Sequence, residues 1–290
     1  MLSKISVIPN TTKDLSRPEA HKLFQRLLSG CGCVALPDDC RSFLPYLENT
    51  EAVFLSREEL FLGTDVIFIL GGDGSVIDAA RGTAKYGIPM TAVNFGTVGY
   101  LSEIEIGDLE TVDRVLTGQC PVENRVMLDI EIRDNTSGEV KTITALNEAL
   151  LSNGPITRLM DVELRCDGIT ADFCRANGLV IATPTGSTGY SMSAGGPVLD
   201  PRLDCLCITP VCSHLLRNRP FILSGDSELE LRNIRCDGNA IYLSSDGRDV
   251  IGLSPSTEVH IRRSKTVTKL IRAKADGFLG VLNRKMWTQK

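Results

Sequence analysis

A change of texture near residue 122 constrains this chain more than any other feature. Before it, nearly unbroken apolar runs alternate with helical patterns. After it, short stretches alternate with period two and carry no helical pattern between them. "DVIFIL" (Asp65 to Leu70) and "PMTAVNF" (Pro89 to Phe95) flank "SVIDAARGTAKYG", which reads as a helix closed by Gly87. Strand, helix, strand at this spacing is a parallel βαβ unit, and such apolar strands fit a sheet covered on both faces. Upstream, "ISVIPN" (Ile5 to Asn10) reads as a strand. In "SRPEAHKLFQRLLSG", Ser16 with Glu19 fits a capping box, Pro18 lies in the first turn and Gly30 stops the pattern. Leu23, Phe24, Leu27 and Leu28 then share one helical face.

"VMLDIEIRD" (Val126 to Asp134) runs into a turn at Asn135 to Gly138, and "EVKTITALNEALLS" resumes the extended pattern. "MDVELRCDG", "ELELRNIRCDGNAIYLSSDG" and "TEVHIRRSKTVTKLIRA" continue it, with Asp-Gly turns at 167–168 and 237–238. The expected fold is an α/β domain over residues 1–120, with a Rossmann-like parallel sheet, then an all-β antiparallel sandwich over 121–272. "DGFLGVLNRKMW" near the end can form a short amphipathic helix.

Composition narrows the class. Of 290 residues, 42% are hydrophobic and 23% charged, the balance of a soluble globular protein. A net charge of -5 argues against a general nucleic-acid binder, though not against small anionic ligands. Ten cysteines lack CxxC spacing, and the histidines are His21, His214 and His260 alone. Reduced thiols serving as small core hydrophobes are the expectation, with no protein-held metal. No apolar run reaches the ~18 residues of a membrane span, and no targeting segment is legible, so a cytosolic protein is expected.

The apolar strand ending at Leu70 stops at Gly71-Gly72-Asp73-Gly74. Glycines between a strand and a helix let backbone N–H groups approach phosphate oxygens. The carboxylate discriminates, because beside a polyphosphate it would be repelled unless it meets the accompanying Mg²⁺ or accepts a proton. Both jobs belong to phosphoryl transfer onto an alcohol. The plainer reading is a βα turn in which Asp73 caps the helix. A second motif, "NGLVIATPTGSTGYSMSAGGPVLDP" (Asn177 to Pro201), opens an apolar strand into short hydroxyls punctuated by glycine, suited to a polar, phosphate-bearing ligand.

GGDG at Gly71 to Gly74, "LNE" at Leu146 to Glu148 and "TPTGSTGYSMSAGGP" at Thr183 to Pro197 together resemble NAD kinase. "NFGTVGYL" (Asn94 to Leu101), "HLLRNRP" (His214 to Pro220) and "DGR" (Asp246 to Arg248) follow in that family's order. The resemblance implies ATP-dependent transfer of a phosphoryl group to the 2′-hydroxyl of the adenosine ribose of NAD, giving NADP. It implies Asp73 as the base and Mg²⁺ carried by the nucleotide phosphates, with Gly72 and Gly74 leaving room for phosphate. It further implies that Asn147 and Glu148 hold adenine and ribose, and that Thr185, Thr188, Gly189, Tyr190, Ser191, Met192 and Ser193 line the dinucleotide site. Tyr100 falls near the same site. Arg158 and Arg175 fall on phosphates or a neighbouring subunit, and Asp246 and Arg248 near a subunit contact. The family also implies a C-terminal segment, 273–290, returning to the first domain, and a dimer or tetramer.

Departures are visible. Asn177 stands where the family commonly has Asp, which bears on the nicotinamide carboxamide and on the choice between NAD and NADH. Ser75 replaces a usual Thr and keeps the hydroxyl, and Arg248 adds a charge. Two alternatives share parts of the pattern: a lipid kinase of the diacylglycerol or sphingosine type, and a non-catalytic NADP-binding sensor. The first would want an apolar groove or a basic membrane face, and the second a lost base.

Overall fold

The apolar run after Asp65 forms a strand buried on both faces, and a parallel sheet is built around it. The computed structural model describes residues 2–96, 99–154, 159–215, 218–235, 240–274 and 277–286. Two compact units emerge, Met1–Asn124 with Thr268–Lys290, and Arg125–Val267.

The first unit contains β1 (Ile5–Pro9), α1 (Pro18–Gly30), β2 (Val34–Pro37), β3 (Val53–Leu55), α2 (Arg57–Phe61), β4 (Val66–Leu70), α3 (Asp73–Thr83), β5 (Met90–Asn94), β6 (Ile104–Glu105) and α4 (Leu109–Leu116). The strands lie in the order β3-β2-β1-β4-β5, every pair parallel, and β6 pairs with β5. Leu23, Phe24 and Leu27 of α1 and Phe68 and Leu70 of β4 share one core. α3 ends in one 3₁₀ turn, and Gly87 stops it at φ 63°, the left-handed region that glycine tolerates.

The capping box expected at Ser16 does not form. Arg17 is the N-cap and makes no side-chain cap, and the Ser16 hydroxyl donates instead to Asp14 Oδ1 at 2.6 Å. Ser16 lies one residue outside the cap position, next to a stronger, ionised acceptor. Pro18, at the first helical position, sets the start.

In the second unit every strand pair with a described register is antiparallel. It contains β7 (Val122–Asp134), β8 (Val140–Ala145), β9 (Glu148–Asn153), β10 (Met160–Cys166), β11 (Ile169–Ala176), β12 (Gly178–Ala182), α5 (Tyr190–Ser193), β13 (Cys205–Val211), β14 (Phe221–Ser224), β15 (Leu229–Arg235), β16 (Ile241–Ser245), β17 (Arg248–Leu253) and most of β18 (Thr257–Ile271). One sheet runs β11-β10-β15-β18, with β7 on β18 and β8 on β7, and the other runs β14-β13-β12-β9-β16-β17. Their facing side chains, among them Leu128, Leu151, Leu179, Leu231 and Val259, form a single core, which is a sandwich. The 167–168 turn has φ 51° and 81°, as a tight hairpin requires, and the 237–238 turn lies outside the described residues. All of β12 is buried, because its outer face is also covered: Val180 and Ala182 pack with Leu199, Cys205 and Cys207.

The described residues after β18 include α6 (Gly277–Met286), with Val281 and Leu282 buried. The nine described cysteines are free thiols. No helix among the described residues is long and apolar enough to cross a membrane.

Within the first unit, a buried ion pair ties the chain just after β18 to the segment after β5. Arg272 Nη2 meets Glu103 Oε1, and Arg272 Nε lies 3.5 Å from Glu123 Oε2. Glu103 Oε2 also accepts the main-chain N–H groups of Ala273 (2.8 Å) and Lys274 (3.2 Å). Arg272→Met leaves two carboxylates facing each other without this cation. It is expected to destabilise the fold by about 3–5 kcal/mol, with partial recovery on adding Glu103→Gln. Urea unfolding measures both, and an unchanged midpoint for the single variant would remove the pair from the fold's support.

Candidate active site

In the first unit, β4 delivers Gly71 to Ser75 at the N-terminus of α3, where Gly72 is the N-cap and Asp73 the first helical residue. The Asp73 carboxylate does not cap its own helix. It accepts the main-chain N–H groups of Tyr100 (2.7 Å, on Oδ2) and of Leu101 and Ser102 (each 3.0 Å, on Oδ1), and the Ser102 hydroxyl (2.9 Å, on Oδ1). Oδ2 has a single donor in this set, so lone-pair capacity remains on that oxygen. Asn94 completes the loop: its amide nitrogen donates to Ser102 Oγ at 3.0 Å and its oxygen accepts Gly96 N–H at 2.8 Å. Tyr100 stands beside Asp73, and burial, with that carboxylate's charge, pushes its phenol up.

The glycines of this loop have different reasons. A Cβ on Gly71 would strike Ser75 Oγ at 2.3 Å, and one on Gly99 would strike Asp73 Oδ1 at 1.8 Å. Gly74 has nothing within 4 Å of that position, and Gly72 only Asn94 Nδ2 at 4.0 Å. Packing within the chain therefore requires Gly71 and Gly99 but leaves open space over Gly72 and Gly74, beside N–H groups that a helix's first turn leaves without intrahelical acceptors. That is a cradle for an anion's oxygens.

In the second unit, the extended pattern breaks at Leu146 and Asn147, between β8 and β9. Asp246, in the turn between β16 and β17, accepts the N–H groups of Leu146 (2.8 Å), Asn147 (2.8 Å) and Glu148 (3.1 Å). Thr183 takes the carbonyls: its hydroxyl donates to Leu146 O at 2.6 Å and its N–H to Asn147 O at 2.8 Å. Gly186 is packed so close that a Cβ would lie 2.1 Å from Asn147 O. The main chain of the turn is thus satisfied on both sides. Two side-chain acceptors remain: Asn147 Oδ1 and Glu148 Oε2 are buried without a hydrogen-bond partner. Gly189 adjoins them, its would-be Cβ 3.1 Å from Glu148 Oε2. Burial first, and the Asp246 charge second, push the Glu148 carboxyl up to about 7, against a smaller opposing effect of the Tyr190 main-chain N–H.

The hydroxyl-rich segment divides. Ser187 and Ser191 are buried and satisfied within the chain, Ser187 by Pro184 O and Leu199 N–H and Ser191 by Thr209 Oγ1 at 2.9 Å. Thr185 is buried and accepts from Arg125 Nη1 at 3.4 Å. Thr188 and Met192 are half-buried, and Tyr190 and Ser193 are exposed. Asn177 and Thr183 flank opposite ends of β12, ~20 Å apart at the rise of a strand. Arg175 lies near the Asn177 end, on β11, 3.9 Å from Asp161. Arg158 lies outside the described residues, and Arg248 is exposed at the start of β17. Among the described residues one trio, Glu230, Glu258 and His260, has ligand atoms close enough for a metal ion, but Arg232 reaches both carboxylates and Arg165 reaches Glu230. That trio is part of a charge ladder on the sheet.

Gly99 and Ser102 shape the first site, and Thr183 and Gly186 the second, although the sequence gives none of them an individual role. Ser102 and Thr183 meet partners 29 and 37 residues away. The two glycines are required by single atoms of distant residues, Asp73 Oδ1 and Asn147 O. Spacing alone does not reveal such contacts.

Residues 20–120 match the ATP-NAD kinase N-terminal domain and residues 146–273 the ATP-NAD kinase C-terminal domain. The NAD kinase of Acidobacterium capsulatum is 36% identical over 295 residues, spanning 100% of each chain. That of Symbiobacterium thermophilum is 39% identical over 289 residues, spanning 98% of this chain and 99% of its own. Among solved structures, yeast NADH kinase complexed with NADH superposes with a TM-score of 0.88 at 22% identity, covering 100% of this chain and 89% of that one. An NAD kinase from Archaeoglobus fulgidus in complex with ATP gives 0.70 at 22% identity, covering 97% and 98%.

The geometry sets two measurable outcomes. Gly99→Ala should lower the thermal midpoint, because a methyl cannot share space with the Asp73 carboxylate, whereas Gly74→Ala should leave it in place; equal midpoints would contradict the packing. Glu148 supplies a pH signature. The folded chain holds its proton to about pH 7, while the unfolded chain releases it near the ordinary 4.5. The stability this adds is complete below the lower value and lost as pH rises through the upper one. Glu148→Gln should therefore melt higher than the parent near about pH 8, with the gap closing toward about pH 5. A gap of constant size would remove the raised carboxyl.

Proposed function

The chain belongs to the NAD kinase family, and we propose that it transfers the γ-phosphoryl group of ATP to the 2′-hydroxyl of the adenosine ribose of NAD. The observation that carries the reading is the pair of buried, unpartnered acceptors at Asn147 Oδ1 and Glu148 Oε2. Buried acceptors left unpaired are costly, and adenosine offers the matching donors, an exocyclic amino group and ribose hydroxyls. A diacylglycerol offers one hydroxyl and no amino group, a sphingosine would need an apolar groove for its tail as well, and a sensor would have no use for a carboxylate inside a phosphate cradle.

Each unit has its own task. In the first, Gly72, Gly74 and the first turn of α3 receive the triphosphate. Magnesium, when bound, neutralises charge on the transferring phosphoryl group. The donor set around Asp73, one carboxylate among N–H groups, fits a cation carried by the phosphates rather than by a protein cage. The 2′-oxygen attacks the γ-phosphorus, the bond to the β,γ-bridging oxygen breaks, and ADP leaves. Asp73 accepts the hydroxyl proton on Oδ2, the oxygen with spare lone-pair capacity.

In the second unit, Glu148 accepts ribose hydroxyls, Asn147 reads adenine, and Thr185, Thr188, Gly189, Tyr190, Ser191, Met192 and Ser193 shape the surrounding wall. Ser191 acts through Thr209, not by contact with substrate. Tyr100, beside Asp73, is assigned to substrate binding. Arg158, Arg175 and Arg248 are assigned to phosphate oxygens, and Asn177 to the carboxamide end, where it bears on NAD against NADH. The α/β domain is taken as 1–120 with 273–290, the NAD-binding domain as 121–272, and the protein as a cytoplasmic dimer or tetramer.

The test is direct. Purified protein with ATP, Mg²⁺ and NAD should form NADP, read by an NADP-specific dehydrogenase, and folded protein without product ends the proposal. Asp73→Asn should lower kcat by about 10²–10⁴-fold while NAD still binds. Unchanged kcat would take the base role from Asp73.

A further inference from the structure

Asp246 makes more contacts with the 146–148 turn than any single recognition role requires. Its carboxylate accepts three consecutive main-chain N–H groups, and its own N–H donates to Glu148 O at 3.0 Å. The register of the sheet brings it there: Ser245 of β16 faces Ala149 of β9, so the next residue meets Glu148 as the strand turns. Asp246 and Gly247 make that turn at φ 53° and 69°, and among residues with a side chain Asp and Asn tolerate such a conformation best. With Thr183 holding the carbonyls, the turn has no main-chain freedom, and only the Asn147 and Glu148 side chains are left to meet a ligand.

We propose that Asp246 is a positioning residue of the dinucleotide site: it fixes the turn that carries Asn147 and Glu148, and so sets affinity for the adenosine half of NAD rather than the rate of phosphoryl transfer. This rests on the reading of Asn147 and Glu148 as the adenosine-binding pair. A second consequence is electrostatic. Burial is the largest influence against ionisation of Glu148, the Asp246 carboxylate adds to it, and the Tyr190 N–H opposes both. Asp246 therefore holds the turn in place and also keeps its neighbour's proton on to a higher pH.

The experiment uses the full chain and reads NAD binding by titration calorimetry between about pH 6 and 9, beside steady-state kinetics. Asp246→Asn keeps the turn conformation and one acceptor but loses the charge. It should weaken NAD binding about tenfold, as the loss of well-aligned hydrogen bonds implies, with kcat within about twofold of the parent. The pH at which affinity changes should fall, and in a Glu148→Gln background that pH dependence should be gone. Asp246→Glu keeps the charge and displaces the carboxylate, so it should weaken binding without moving the pH midpoint. Affinity within twofold of the parent in Asp246→Asn, or an unmoved midpoint, overturns the proposal. So does failure of both variants to fold, which would make Asp246 a determinant of the fold alone. A parent chain that binds NAD but makes no NADP would end the kinase reading and leave this one standing.

Discussion

The geometry of the first unit's glycine loop depends on the carboxylate of Asp73, held by donors from residues 100–102. A negative charge at the mouth of an anion cradle is repelled by a polyphosphate unless a cation or a proton offsets it, and to meet either its orientation must be fixed. The fixing is done by main-chain N–H groups, which lose no side-chain rotamer freedom when they are ordered. The loop that supplies them is itself held from behind. Ser102 is followed by Glu103, which is locked to Arg272 and to the main chain at 273–274. A chain of contacts thus runs from the end of β18 to the Asp73 carboxylate. This explains why a buried charge pair, which is weak as a source of stability, is found at this position.

The second unit solves the same problem with the same device. Asp246 gathers three N–H groups from a break in the strand pattern, as Asp73 does from a loop. The outcomes differ. Asp73 keeps one oxygen with room for a proton, whereas Asp246 is committed to the main chain and leaves the open valences on its neighbours Asn147 and Glu148. Two acidic residues of similar appearance therefore do unlike work, and their hydrogen-bond partners tell them apart.

Much of this is legible in the sequence. The parallel βαβ around Asp73 follows from two unbroken apolar runs at helix-length spacing, and the β sandwich from period-two alternation between Asp-Gly turns. The short strands Val34–Pro37 and Val53–Leu55 are not legible, since a run of three or four apolar residues does not distinguish strand from helix, whereas the helix Leu109–Leu116 does carry a helical signal in Leu109, Val112, Val115 and Leu116 behind the Asp108 cap. The capping box at Ser16 fails because a nearby acceptor competes for the hydroxyl. In the site, the residue types are legible but not their partners. Nothing in a linear spacing shows that Gly99 is required by Asp73, or that Gly186 is required by the carbonyl of Asn147. Asn177, close to the hydroxyl-rich segment in sequence, lies across a full strand from its start.

The burial of Leu199 against the outer face of β12 carries a last consequence. The segment from Thr183 to Leu199 is not a flap laid over a finished domain, because Ser187 and Ser191 anchor it inward and it seals one side of the sheet. Its amide protons at these anchors can reach solvent only when the sandwich itself opens. Hydrogen–deuterium exchange there would follow the slowest class of the second unit, even without nucleotide. The surface this segment presents is thereby pre-formed, and a ligand meeting it would find little left to order.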